Sequence, residues 1–220
     1  MAYYPLLIQM DGLPCLIAGG GAIALHKAQV LLAQGARVTV AAPELLPELE
    51  ALPVTVRRRK VTAEDTEGMA LAVDATGDPA AEEMLERACA DRGILYDSAC
   101  RVSAGTVIFP AVFRRGKTVV AVSSQGASPA ASAWLRDTLK AHVPEKMDEI
   151  LEQMAALRPL SRQELPEQAD RRQFLHRCLD AMLQRGGPLE QQEICATLDK
   201  IRVGNIDADK QEEKREKENT

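Results

Sequence analysis

Residues Cys15–Pro43 read CLIAGGGAIALHKAQVLLAQGARVTVAAP, and this stretch decides the fold. Cys15-Leu16-Ile17-Ala18 is a short unbroken apolar run, the pattern of a strand buried on both faces. Gly19-Gly20-Gly21 follows it directly. From Ala22 to Gln34, apolar residues recur at 23, 24, 28, 30, 31 and 32, which is helical spacing. Gly35 stands where a helix takes a left-handed terminal residue. Arg37–Ala42 then reads as a second strand. Strand, glycine turn, helix and strand make a βαβ unit, whose two strands run parallel.

Gly19-Gly20-Gly21-Ala22-Ile23-Ala24 fits the pattern G-x-G-x-x-A. Gly19 permits the tight turn, and Gly21 lets a pyrophosphate approach the backbone. Ala24 lets the helix pack on the strand. The amides that open the helix, at Ala22 and Ile23, point at the negative charge. The pattern follows a strand and opens a helix, which is the context that gives it meaning as a dinucleotide turn. The second strand ends at Pro43-Glu44. Glu44 either reaches back to the adenosine ribose or opens the next helix. No Arg or Lys stands there for a 2′-phosphate, which favours NAD over NADP. Ala75-Thr76-Gly77-Asp78 closes the fourth strand. Thr76 and Gly77 either face the same crevice or only turn the chain towards Pro79.

Working outward, residues 45–51 predict a short helix and Val54–Arg58 a third strand. Met69–Ala75 is a fourth strand, Pro79 opens a helix that runs to about Asp91, and Ile94–Tyr96 is a fifth strand. After residue 100 the pattern changes. Thr106–Val112 and Lys117–Ser123 are β-rich runs, with a turn predicted at Arg114-Arg115-Gly116. Beyond Ser128-Pro129 the chain is helical, with apolar residues in step at 147, 150, 151 and 154 and again at 174, 175, 178, 179, 182 and 183. Gly186-Gly187-Pro188 breaks this pattern ahead of a last short helix with Ile194, Cys195, Leu198 and Ile201. The expectation is an α/β protein: a Rossmann-type parallel sheet over residues 1–112, a small β-rich dimerisation and substrate segment over 113–145, and a helical C-terminal region over 146–206. Residues 207–220 are charged and almost free of apolar side chains, so a disordered tail is predicted.

Composition excludes several classes of function. The 220 residues carry 27 basic and 32 acidic side chains, a net charge of −5, which argues against a protein held to nucleic acid by its charge. Aromatic residues are 3% of the chain, too few for base-stacking platforms. No apolar run approaches the ~18 residues of a membrane span, and no secretory leader is evident. The five cysteines, at 15, 89, 100, 178 and 195, include no C-x-x-C pair. They read as free thiols of a reducing cytoplasm. His26, His142 and His176 are too scattered to suggest a metal site. The run Arg57–Lys60 reads as a solvated strand end.

Three segments in order carry a resemblance. The opening stretch resembles that of precorrin-2 dehydrogenases, the NAD-dependent enzymes of siroheme synthesis. VIFPAVFRRG at 107–116 is similar to the family's FIxPAxxRRG, and VAVSSQGASPAASAWLRDTL at 120–139 is similar to its xAISTGGxSPxxAxxLRxxL. The likeness covers about residues 3–145. It implies oxidation of precorrin-2 to sirohydrochlorin with NAD as hydride acceptor, in a cytoplasmic homodimer. In some members it also implies insertion of iron.

The resemblance further implies roles for particular residues. Ser124 matches the family's active-site serine. Ser124 and Gly126 are candidates for holding substrate, whereas helix capping accounts for Ser128. Arg114 and Arg115 would clamp substrate carboxylates or form a solvated hairpin turn. The family's Asn-x-x-Asp, whose Asp is its proposed acid/base group, is here Asp97-Ser98-Ala99-Cys100, with Asp97 at the Asn position and Cys100 at the Asp position. Either Asp97 serves as the base or the proton leaves to solvent. Cys100 is a candidate base or ligand and reads more simply as a buried structural thiol. The rival to an enzyme is an NAD(H)-sensing regulatory protein on the same fold, against which the FPAVFRRG and SSQGASP segments count.

Overall fold

The computed structural model describes residues 3–101 and 104–203. The tail predicted over 207–220 lies outside the described residues. By its internal contacts the chain forms two compact units, Met1–Pro110 with Ser123–Pro129, and Ala111–Val122 with Ala130 onward.

The first unit is built on a five-stranded parallel sheet in the order β3-β2-β1-β4-β5. The strands are β1 (Pro14–Ala18), β2 (Arg37–Ala41), β3 (Thr55–Arg57), β4 (Leu71–Asp74) and β5 (Leu95–Ser98). Helices α1 (Ala22–Leu32), α2 (Pro47–Glu50) and α3 (Pro79–Arg92) form the crossovers. The sheet is a Rossmann-type sheet, as the sequence predicts, with each strand within a few residues of its expected place. The central strand β1, PCLIA, is apolar throughout because both its faces are covered. Cys15 and Ile17 pack with Ala24, Ala28 and Leu31 of α1. Leu16 and Ala18 pack with Leu85 and Cys89 of α3. The period of two along β1 thus sorts alternate side chains into two separate cores.

α3 begins and ends on local signals. Asp78 accepts the Ala80 amide at 3.0 Å, Pro79 takes the first helical position, and Gly93 closes the helix at φ +66°. Residues 104–109 form no strand, contrary to the expectation for Thr106–Val112. Among the described residues Thr106 and Val107 bond to Tyr96 of β5, while Val107 and Phe109 pack on the α1 side of the sheet.

The second unit opens with an antiparallel hairpin of β6 (Ala111–Arg115) and β7 (Thr118–Val122). Arg114 and Arg115 therefore lie in a strand, not in the turn predicted for them. The turn is Gly116-Lys117, a two-residue loop with Gly116 at φ +55°. Such short loops need a positive φ that glycine supplies most easily. Asp148 fixes the turn by accepting the Lys117 amide at 2.8 Å. Helices α4 (Pro129–His142), α5 (Met147–Glu164) and α6 (Gln168–Arg185) follow. A last helix, α7, occupies residues 191–203 of the described chain. Ile150, Leu157, Phe174, Cys178, Met182, Ile194 and Leu198 form a third core, on the helical spacing read from the sequence. Gln153 clasps the break before α7, giving to the Leu189 carbonyl and accepting its amide, both at 2.7 Å. No helix among the described residues is long and apolar enough to cross a membrane.

Candidate functional site

Strand order reverses between β1 and β4, so a crevice opens at their carboxyl ends, where ligands of such sheets sit. Ala18 and Asp74 end the two strands side by side. The chain leaves β1 through Gly19-Gly20-Gly21, and each glycine does a different job. Gly19 takes φ +115°, and a Cβ there would overlap the Ala75 carbonyl. Gly20 lies under the loop after β2. A Cβ on it would overlap the Glu44 carbonyl oxygen and lie 2.9 Å from its carbon. The Leu46 amide bonds to the Gly20 carbonyl at 2.9 Å. Gly21 is different, because a Cβ there would meet nothing within 4 Å. It is the N-cap of α1, with no side-chain capping bond and no acidic residue in the first turn. The orphan amides of that turn thus border open space. Ala22 and Ile23 are exposed beside it. This is a cradle shaped for a backbone-bound anion, and it fits the pyrophosphate of a dinucleotide.

Glu44 belongs to a loop, since α2 starts only at Pro47. Pro43 and Glu44 are both exposed at the end of β2, next to Gly20. The close approach of Gly20 to Glu44 is a contact that the motif alone did not reveal.

Thr76 and Gly77 form the turn after β4, and Asp74 organises it. The Asp74 carboxylate accepts the Thr76 amide at 2.9 Å and its hydroxyl at 2.7 Å, and the Asp78 amide bonds to the same hydroxyl at 3.1 Å. Burial pushes the Asp74 carboxyl above its ordinary range, against the two Thr76 bonds that pull it down. The Ala75–Thr76 backbone is also what crowds Gly19. This segment therefore serves both as a turn towards Pro79 and as one wall of the cradle.

Asp97 and Cys100 do not act together. Asp97 is buried near the end of β5, and its carboxylate pairs with the Lys27 ammonium at 2.7 Å. That ammonium also sits 3.7 Å from the centre of the Phe109 ring. Cys100 is exposed, not buried as its structural reading required. It lies beyond the strand, with its amide on the Ser98 hydroxyl at 3.3 Å. Ser98 in turn donates to Glu82 at 2.5 Å. Lys27 is the residue that sequence reading passed over. Its signal in the sequence was a cation among the positions 24, 28 and 31 that α1 buries.

Ser124 and Gly126 fall in the segment that packs with the first unit. The Ser124 hydroxyl accepts the Ser128 amide at 2.9 Å and lies 3.0 Å from the Ser128 carbonyl. Gln125 and Gly126 take φ +54° and +85° within this loop. Arg114 and Arg115 belong to the second unit. Arg114 is exposed, while Arg115 bonds the Val143 carbonyl and stacks 5.3 Å from the Phe113 ring. The basic run at 57–60 is not merely solvated. Arg57 and Arg59 clamp the fully buried Asp65, Arg59 with bonds of 2.6 and 2.7 Å. Among the described residues, no group of three or more His, Cys, Asp and Glu side chains could hold a metal ion.

Comparison with known proteins agrees with this geometry. The family described as "Putative NAD(P)-binding" matches residues 6–111. The siroheme synthase of Methylococcus capsulatus is 36% identical over 184 residues, covering 82% of this chain and 39% of the relative. Siroheme synthase 2 of Aeromonas hydrophila is 32% identical over 179 residues, covering 80% of this chain and 38% of the relative. The chain thus spans about two fifths of the length of these relatives. Among solved structures, SirC, a precorrin-2 dehydrogenase, superposes with a TM-score of 0.67 at 25% identity, covering 91% of this chain and all of that one. With its glycine cradle, its parallel sheet and its helical second unit, the chain is a relative of the siroheme synthases and of SirC, with the NAD(P)-binding match confined to residues 6–111.

Proposed function

We propose that the protein oxidises precorrin-2 to sirohydrochlorin with NAD. The observation that carries this reading is the open space over Gly21 at the start of α1, beside the turn after β4. Bound there, NAD supplies a hydride acceptor. Gly19, Gly21 and the amides of Ala22 and Ile23 hold its pyrophosphate, and the exposed Glu44 serves the ribose. NAD is preferred to NADP because nearby arginines are engaged. Arg57, paired opposite Ala41 at the end of β2, is held by Asp65, and Arg58 pairs with Glu50.

For a polycarboxylate substrate the resemblance implies two separate contributions, a cation from the exposed Arg114 and polar backbone from the Ser124–Gly126 loop. The substrate proton passes to water. The position at which the resemblance implies an acid/base carboxylate, and with it metal insertion, is Cys100 in this chain, and Asp97 is engaged by Lys27.

The functional form is proposed to be a cytoplasmic homodimer. Supporting this, α4 exposes Trp134 (66%), Leu135 and Leu139, and the hairpin exposes Val112. Large apolar side chains left exposed in this way suit a second copy. All five cysteines are free, which suits a reducing compartment. The deciding experiment incubates purified protein with precorrin-2 and NAD and follows NADH absorbance. No turnover with NAD or NADP removes the reading. Light scattering in solution tests the dimer.

A further inference from the structure

We propose that Lys27 and Asp97 are positioning residues for the dinucleotide. Their ion pair, seated on Phe109, ties the helix that opens at the glycine turn to the end of β5. The inference rests on the reading that Gly19–Gly21 hold a dinucleotide.

The two residues are 70 positions apart in sequence, and nothing local brings them together. Side-chain exposures of 15% for Lys27 and 7% for Asp97 make this an enclosed pair. Lys27 is in the second turn of α1, so it fixes the helix whose first turn borders the cradle. Asp97 pairs in register with Val73, and Val73 precedes Asp74, which organises the turn against Gly19. The contacts therefore close a ring: glycine turn, β4 turn, β5 end, Lys27 and back along α1. Phe109 caps this ring, because the segment after β5 folds back onto the α1 side of the sheet.

An enclosed ion pair is a weak source of net stability, because desolvation offsets most of the attraction. What it does supply is a single arrangement of the two elements it joins, since any other leaves a charge buried alone.

The test separates positioning from chemistry and from mere stability. NAD affinity is measured by calorimetry for the parent, Lys27→Met and Asp97→Ala. Both variants are expected to weaken NAD binding at least fivefold. In steady state, KM for NAD should rise, with kcat at saturation changing much less. If either variant fails to fold by circular dichroism, the double variant Lys27→Met/Asp97→Ala, which leaves no lone buried charge, is read by the same criterion. Binding within threefold of the parent overturns the proposal, because a merely structural pair does not move the affinity of folded protein. A tenfold fall in kcat for Asp97→Ala at unchanged NAD affinity also overturns it and makes Asp97 the base. The calorimetry needs no precorrin-2. A parent that binds NAD but turns nothing over fails the dehydrogenase reading and leaves this test standing.

Discussion

Replacing Gly20 and Gly21 one at a time with Ala should separate stability from binding. At Gly20 the new methyl overlaps the Glu44 carbonyl and lies 3.0 Å from the Leu45 Cα, and both neighbours are backbone. Overpacking of this kind costs about 3 kcal/mol at its upper end. Removing a glycine from the unfolded chain returns up to about 1 kcal/mol. The net loss is about 2 kcal/mol, a substantial part of the ~5–15 kcal/mol of a typical domain. At Gly21 the methyl meets open space, and the backbone, at φ −89° and ψ −168°, is one that alanine adopts freely. There the gain from the unfolded chain is offset by the poorer N-cap, about 0.5–1 kcal/mol, so stability should stay within about 0.5 kcal/mol. The methyl occupies the space the pyrophosphate needs. NAD binding should therefore fall at least tenfold, about 1.4 kcal/mol. Urea unfolding by circular dichroism reads the first quantity and calorimetry the second. If Gly21→Ala bound NAD like the parent, or lost as much stability as Gly20→Ala, the assignment of roles within the turn would be wrong.

Three further outcomes are expected. Hydrogen bonds from Arg59, the Thr62 amide and Arg57 outweigh burial and hold the Asp65 carboxyl well below the usual carboxylate range. A carboxyl depressed in the folded state adds stability above its unfolded pKa of about 3.9 and loses it as pH falls further. Asp65→Asn should therefore cost about 2 kcal/mol at neutral pH, and the difference from the parent in urea titrations should shrink in strong acid. A loss that did not depend on pH would contradict this. Burial pushes the thiols of Cys15, Cys89 and Cys178 up to about 11, while Cys100 and Cys195 are exposed. A thiol reagent should thus titrate two groups quickly in native protein and all five after denaturation. Gln125 holds φ +54° where the resembling segment has glycine, so Gln125→Gly should stabilise by about 0.5–1 kcal/mol in thermal unfolding. A loss of stability would mean that the Gln125 side chain supports the loop.

The parallel sheet was legible because its signals are local. Apolar runs at 15–18, 37–42 and 69–75, a glycine turn and Pro79 each report on a handful of neighbours. The hairpin was misplaced for a physical reason. Residues 106–109 are as β-prone as 111–115, and the choice between them depends on distant partners. Tyr96 takes up the backbone of Thr106 and Val107, while Asp148 seizes the turn at Lys117. Pairings across long sequence gaps were illegible for the same reason. Lys27 and Asp97, 70 positions apart, leave no periodic trace.

The same contrast bears on the chemistry. The polar side chains at the strand ends are all engaged in fastening loops: Asp74 holds Thr76, Asp97 holds Lys27, Ser98 holds Glu82 and Ser124 holds Ser128. The cradle itself is backbone, made of three glycines and the carbonyls that crowd two of them. A site so arranged presents few free acids or bases. It suits a reaction whose bond-making power comes with a bound coenzyme and whose proton can be left to water, because the protein then has only to fix two partners face to face. By the same logic, a substitution at a fastening residue should act first through KM, and only a substitution that fills the cradle should abolish turnover outright.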